Sequence, residues 1–183
     1  DDDVDRDGFT LADGDCDDTR GIISPAIIEN GQIYVWGGGM SGKLGLGEIA
    51  DEFECYCPTP TLLRFPGATR MRFRQVSCGN AHTAAITEDG ELWVWGCGDS
   101  GRLGLGSNFS TRHVPQLVDV LKTAGVKAAH VSCGASHTAG CSAIKEISTG
   151  NGVSKIVRVS GGDVYVAGPA AALGRFSPHF RTY

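Results

Sequence analysis

Short apolar runs stopped by glycine, without polar alternation, recur at residues 33–36, 92–95 and 164–166. Such runs of β-branched, aromatic and aliphatic residues predict strands covered on both faces. Further strands are predicted at 61–65, 73–78, 83–87, 116–120 and 130–133. Between 83–87 and 92–95 lie Glu88, Asp89 and Gly90, and the Asp-Gly pair supplies the positive φ that a tight hairpin needs.

The pattern repeats. GQIYVWGGGMSGKLGLG at 31–47 returns as GELWVWGCGDSGRLGLG at 90–106, an offset of 59, and VSCGNAHTAAI at 76–86 returns as VSCGASHTAGC at 131–141, an offset of 55. A third, degraded copy of the first element is GDVYVAGPAAALG at 162–174. The unit is therefore 55 to 60 residues, present two to three times. Four short antiparallel strands per unit, joined by Gly-rich loops, is the arrangement of a propeller blade. The predicted fold class is all-β, a partial β-propeller of four-stranded antiparallel blades.

Taken together, the two elements resemble the repeat of the regulator of chromosome condensation family. That repeat sets a Cys-Gly-x-x-His-(Thr/Ser) strand entry before a Gly-x-(aliphatic)-(aromatic)-x-Trp-Gly strand and a Gly-x-Leu-Gly-(Leu/His)-Gly loop. Cys78, Gly79, His82, Thr83, Gly90, Trp93, Trp95, Gly96, Gly101, Leu103, Gly104 and Gly106 carry it in the central copy. Cys133, Gly134, His137 and Thr138 carry it in the next copy, and Gly31, Trp36, Gly37, Gly42, Leu44, Gly45 and Gly47 in the one before. The resemblance implies a seven-bladed propeller, which at this period needs roughly 400 residues. The 183 residues are thus expected to form less than half a ring, with missing blades or a partner chain to close or cap it. Lacking an initiator Met or an apolar signal core, the chain is expected to be a processed product or a piece of something longer.

Composition refines this picture. Gly is 27 of 183, about twice the usual share, as blade loops require. Net charge is −5, but residues 1–18 hold nine Asp against one Arg, so the remaining chain is near neutral. Without a Lys/Arg-dense stripe to neutralise phosphates, a nucleic-acid binder is not expected. Nor is any segment long and apolar enough to cross a membrane as a helix. The seven Cys are an odd number and mostly sit beside apolar strand residues, which predicts buried thiols.

Four motifs could carry chemistry. The Gly-rich stretch 37–43 has the spacing of a phosphate loop up to Lys43, but Leu44 follows where Ser or Thr should hold magnesium, and the second copy has Arg102. It is read as a repeat loop. His82 and His137 lie four residues after Cys78 and Cys133, a spacing that could suggest zinc. Their separation by one full unit instead predicts a repeated structural job, a His ring hydrogen-bonded to loop backbone. Cys55 and Cys57 form a lone Cys-x-Cys, read as incidental. No Ser-His-Asp order or paired-carboxylate constellation stands out, so the chain is not expected to be an enzyme.

The last motif is the acidic head. Asp3, Asp5 and Asp7 before Gly8 reproduce the start of a calcium loop, with Phe9 able to offer its carbonyl, and Asp13, Asp15, Asp17 and Asp18 follow around Cys16. The string resembles an Asp-rich metal-binding motif of secreted bacterial proteins and the calcium repeats of thrombospondins. Residues 1–20 are therefore expected to form a calcium-type loop or an acidic tail, and 21–183 the propeller segment. The third unit takes twenty-five residues from His137 to Gly162 where the second takes eight from His82 to Gly90, an insertion of seventeen. Placed at 144–160, it reads as a projecting hairpin around a Thr-Gly-Asn-Gly turn, and such loops are where propellers meet partners.

The functional expectation is a non-enzymatic protein-interaction scaffold with an N-terminal calcium site. Two alternatives stay open: part of a guanine nucleotide exchange factor for a small GTPase, and a secreted or cell-surface calcium-binding structural protein. The repeat resemblance implies a cytoplasmic or nuclear setting and the Asp-rich head an extracellular one.

Overall fold

A computed structural model describes residues 26–47, 56–67, 70–106, 110–141, 146–149, 154–158, 164–167 and 180–182. The Asp-rich head, with Asp3, Asp5, Asp7, Phe9, Asp13, Asp15, Asp17 and Asp18, lies outside them, as does Cys55.

The first unit contributes β1 (Ala26–Glu29), β2 (Gln32–Gly38) and β3 (Tyr56–Leu62), an antiparallel sheet in that order. Asn30 and Gly31 join β1 to β2 with φ of 53° and 77°. Two successive left-handed residues make the two-residue turn whose twist matches the flanking strands. The central unit is the complete blade: β4 (Phe73–Cys78), β5 (His82–Thr87), β6 (Leu92–Gly96) and β7 (Arg112–Leu117), antiparallel throughout. A short helix, α1 (Asp119–Thr123), leads to the third unit. Its sheet holds β8 (His130–Cys133), β9 (Thr138–Cys141), β12 (Val164–Ala167) and β13 (Phe180–Thr182), ordered β13-β12-β9-β8. Between β9 and β12 sits a separate antiparallel hairpin, β10 (Glu146–Thr149) with β11 (Ser154–Arg158), in the predicted insertion.

Why the central strands lack polar alternation is visible in their register. Ala84 lies opposite Val94, Ala85 opposite Trp93 and Ile86 opposite Leu92. Side chains alternate faces along a strand, so Ala84, Ile86, Leu92 and Val94 share one face, packed with Leu103, Leu121, Val131 and Cys133. Ala85, Trp93 and Trp95 take the other, packed with Phe73 of β4 and with Ile33, Val35, Leu44 and Leu63 of the first unit and its linker. Every residue of β5 and β6 is buried because the sheet is sandwiched between neighbours. The core therefore lies between the units rather than inside any one of them.

Backbone groups of one unit are also tied to the next. Phe73 N–H donates to Gly31 C=O at 2.8 Å, and one period later Ala128 N–H donates to Gly90 C=O at 2.9 Å. Gln75 meets the unpaired edge of β8 twice, its Nε2 donating to Val131 C=O and its Oε1 accepting from Val131 N–H, both at 3.0 Å. Ser77 Oγ accepts from Cys133 N–H at 2.9 Å.

Three expectations need correction. The strand expected at 61–65 is β3, starting five residues earlier and ending at Leu62. Pro58 and Pro60 are tolerated because β3 is an edge strand, where a missing N–H costs little. Beyond it, Phe65 leaves the sheet to set its ring edge-on to Trp93 and Trp95, at centroid distances of 5.4 and 5.9 Å. The strand expected at 116–120 is likewise the end of β7, which runs through Pro115 on the outer edge, followed by α1. In the third unit the outer strand β13 runs parallel to β12, not antiparallel. Residues 168–179 are long enough for that return, since a parallel connection needs roughly a dozen residues.

Candidate interaction surface

The repeated Cys-Gly-x-x-His-Thr entry is a tight backbone turn with the imidazole folded over its glycine. Gly79 N–H donates to His82 C=O at 2.7 Å, and Gly134 N–H to His137 C=O at 2.8 Å. A Cβ on Gly79 would lie 2.7 Å from His82 Cε1 and 2.5 Å from Gly134 O, and one on Gly134 2.5 Å from His137 Cε1. Glycine is needed there because the ring occupies the space a side chain would take.

Past the turn, the two residues that follow reach in opposite directions across the unit boundaries. Thr138 Oγ1 donates to Arg102 C=O at 2.7 Å, back toward the central unit. Its hydroxyl has one hydrogen, so at its other contact, 2.8 Å from His82 Nε2, it accepts. His82 is thus the Nε2–H tautomer, and Nδ1 has no partner. Burial first, then the neighbouring charges of Arg102 and His137, hold the His82 pKa down at about 3, so the ring stays neutral at physiological pH. Burial likewise lowers the pKa of His137. The ring's closest hydrogen-bond contact is therefore a hydroxyl of the next unit, while the backbone of His137 acts on the ring against burial, raising its pKa.

One period earlier the same device recurs with an addition. Thr83 Oγ1 donates to Lys43 C=O at 2.9 Å and Trp95 Nε1 donates to the same oxygen at 2.8 Å. Gly45 makes this approach possible, since a Cβ there would sit 2.8 Å from Trp95 Cδ1. The Gly-rich loop is thus read through a carbonyl, which explains why Lys43 and Arg102 can exchange at this position. No helix follows it among the described residues up to Gly47: residues Met40–Gly42 form a 3-10 turn with Ser41 at φ 59°, mirrored by Asp99–Gly101 with Ser100 at φ 60°. A phosphate-loop reading has no support in this geometry.

Among the described residues no group of His, Cys, Asp and Glu could hold a metal ion, so the Cys/His spacing does not build a zinc site there. Cys57 Sγ donates to Thr59 C=O at 3.3 Å. With the inter-unit faces given over to packing, the accessible features are loops. The first Gly-rich loop, with Thr111 and His113 of the next unit, encloses a depression of about 300 Å³, and Met40 stands at its rim, 67% exposed. The loop is fixed by Gly47 N–H donating to His113 C=O at 2.8 Å. The β10–β11 hairpin, set between β9 and β12, is the other inserted feature.

Stacked sheets of three and four strands, with the inter-unit His82–Thr138 contact and glycine loops, define a β-propeller repeat protein. Two segments, 30–86 and 89–141, match the regulator of chromosome condensation (RCC1) repeat, and the chain belongs to that repeat family. It is 39% identical over 113 residues to the ultraviolet-B receptor UVR8 of Arabidopsis thaliana, covering 62% of this chain and 23% of the receptor. It is 37% identical over 114 residues to the human E3 ubiquitin-protein ligase HERC2, covering 62% of this chain and 2% of the ligase. Among solved structures, human WBSCR16 superposes with a TM-score of 0.54 at 25% identity, over 66% of this chain and 29% of that one. Yeast RCC1 (Prp20) bound to Kap60 superposes at 0.55 with 18% identity, over 66% and 28%. A second structure of Prp20p, from Saccharomyces cerevisiae, reported with its binding to Gsp1p and histones, gives 0.53 at 22% over 62% and 27%. The chain spans under a third of each of these proteins.

Proposed function

We propose that the chain is a protein-interaction scaffold: its sheets stack to hold position, and partners meet the loop depression at 39–47 and the β10–β11 hairpin. The carrying observation is the hairpin, a separate two-stranded sheet between β9 and β12 of the third unit. Kinship to proteins described as a receptor, ligases and a Gsp1p- and histone-binding protein supports an interaction role. Cross-linking mass spectrometry in native extract is expected to map partner cross-links to residues 39–47 and 144–160. Replacing 144–160 by a short turn should remove the second set and leave the first. Cross-links spread evenly over the strands would contradict the reading.

The alternative, a share in a guanine nucleotide exchange factor, separates in the same preparation, because it alone predicts faster nucleotide release from one of a panel of small GTPases. The Asp-rich head motivates a further proposal, calcium bound by Asp3, Asp5, Asp7, Asp13, Asp15, Asp17 and Asp18 with the Phe9 carbonyl. Millimolar calcium should then raise the thermal midpoint of the chain, and an unchanged midpoint would refute it. A secreted or cell-surface structural role depends on that result.

A further inference from the structure

Four arginines, Arg64, Arg70, Arg72 and Arg74, fall within one short stretch of the linker and β4, and all four are exposed. Two of them are engaged: Arg72 Nε donates to Glu88 Oε1 at 3.0 Å, and Arg74 donates to Thr87 C=O and Ala128 C=O. Arg64 and Arg70 pair with no described carboxylate. Arg64 lines a depression of about 250 Å³ walled by Ile33, Leu63, Phe65, Met71 and Phe73, and Arg70 and Arg72 bracket Met71 in sequence. The Phe65 and Phe73 rings meet there at a centroid distance of 4.3 Å. Besides Glu88, the carboxylate near this rim is Glu29, opposite Gln32 of the lining in the β1–β2 register. Positive charge is therefore in excess around an apolar hollow, a combination that selects an acidic segment carrying apolar side chains.

We propose that the occupant is this chain's own Asp-rich head, docked through residues 7–13 on the arginine-rimmed depression. Residues 1–18 hold nine Asp against one Arg, and within them Phe9 and Leu11 lie between Asp7 and Asp13. Alternate residues of an extended segment face one way, so Asp7, Phe9, Leu11 and Asp13 would share one edge. Phe9 and Leu11 then enter the depression while the two carboxylates meet Arg64 and Arg70, whose planar forks suit them. Chain length permits this. Asp13 is thirteen residues before Ala26, a reach of up to about 45 Å. Ala26 lies opposite Val35, and Gln32 of the depression is three residues along the same strand, about 10 Å away. A tether of this kind gives an effective concentration on the order of millimolar, at which weak ion pairs suffice.

This surface is neither the loop at 39–47 nor the β10–β11 hairpin, and the test is run in chelator, so it stands apart from the partner and calcium readings. In the 183-residue chain, Arg64→Lys with Arg70→Lys keeps both charges and supplies amines. Zero-length carbodiimide coupling, read by peptide mass spectrometry, should join those positions to carboxylates of residues 1–18 within the monomer. The yield should not depend on protein concentration and should fall several-fold in about 0.5 M NaCl. Adding Phe9→Ser and Leu11→Ser leaves the charge of the head unchanged and should also cut the yield several-fold. An unchanged yield would mean charge attraction without a seat in the depression, and overturns the docking. Links to the head found only in a cross-linked dimer overturn it too, giving the surface to a second copy. So does the absence of any link to the head, which would leave the surface to an acidic partner in trans.

Discussion

Trp95→Ala is expected to destabilise the chain by about 3–5 kcal/mol, the range for removing a large buried aromatic side chain. The indole is fully buried between the first and central units, with Phe65 edge-on to it and Gly45 beneath its Cδ1. Truncation empties that space and removes the Nε1 bond to Lys43 C=O. Trp95→Phe keeps most of the packing and loses the donor; because Thr83 still reaches the same carbonyl, its cost should be nearer about 1 kcal/mol. Urea unfolding of the two variants measures both, and a Trp95→Ala loss below that of Trp95→Phe would contradict the arrangement. In the third unit Ala167 stands at the corresponding sequence position, so that unit has no indole to offer Arg102 C=O.

Gly96→Ala is the second large effect. Gly96 has φ +100° and pairs with His82. A Cβ there would lie 2.5 Å from Ala81 O and 2.6 Å from His82 Cα, both backbone atoms that cannot swing aside. Strain at such a φ is on the order of 1–3 kcal/mol, and displacing β5 against its neighbours adds to it, for a total of at least about 3 kcal/mol. Gly106→Ala is the control, with φ +77° and nothing within 4 Å of the new Cβ. It should cost only the conformational strain, about 1 kcal/mol. Similar losses for the two variants would mean that the contact with the His82 turn does not matter.

Much of this fold is legible in the residues. The repeated WG and GxLG elements mark β2, β6 and the loops after them, and the unbroken apolar runs at 92–95 and 83–87 reflect a sheet covered on both sides. The outer strands β3 and β7 are less legible, because they contain Pro58, Pro60 and Pro115, residues rare in strands but tolerated at an edge, where proline gives up only an unused donor. The helix α1 is five residues long, too short for an amphipathic period to register, although Gly125 with φ +68° closes it. At the unit boundary the Cys-Gly-x-x-His-Thr motif announced a structural histidine but not its partner, which lies 56 residues away in sequence. The signal is present in the adjacency of His and Thr: Thr83 and Thr138 each reach a loop carbonyl of the unit before, and His82 meets Thr138 of the unit after.

That relay makes the most direct test of the account, whose central claim is that successive repeats stack face to face and hold one another through their motif residues. A double-mutant cycle combines His82→Leu with Thr138→Val, residues one repeat apart in sequence and 2.8 Å apart in space. The predicted result is a favourable coupling of about 0.5–3 kcal/mol, the range for residues in direct hydrogen-bonded contact. Strictly additive losses, with no coupling beyond error, would contradict the stacking of the central and third units described here.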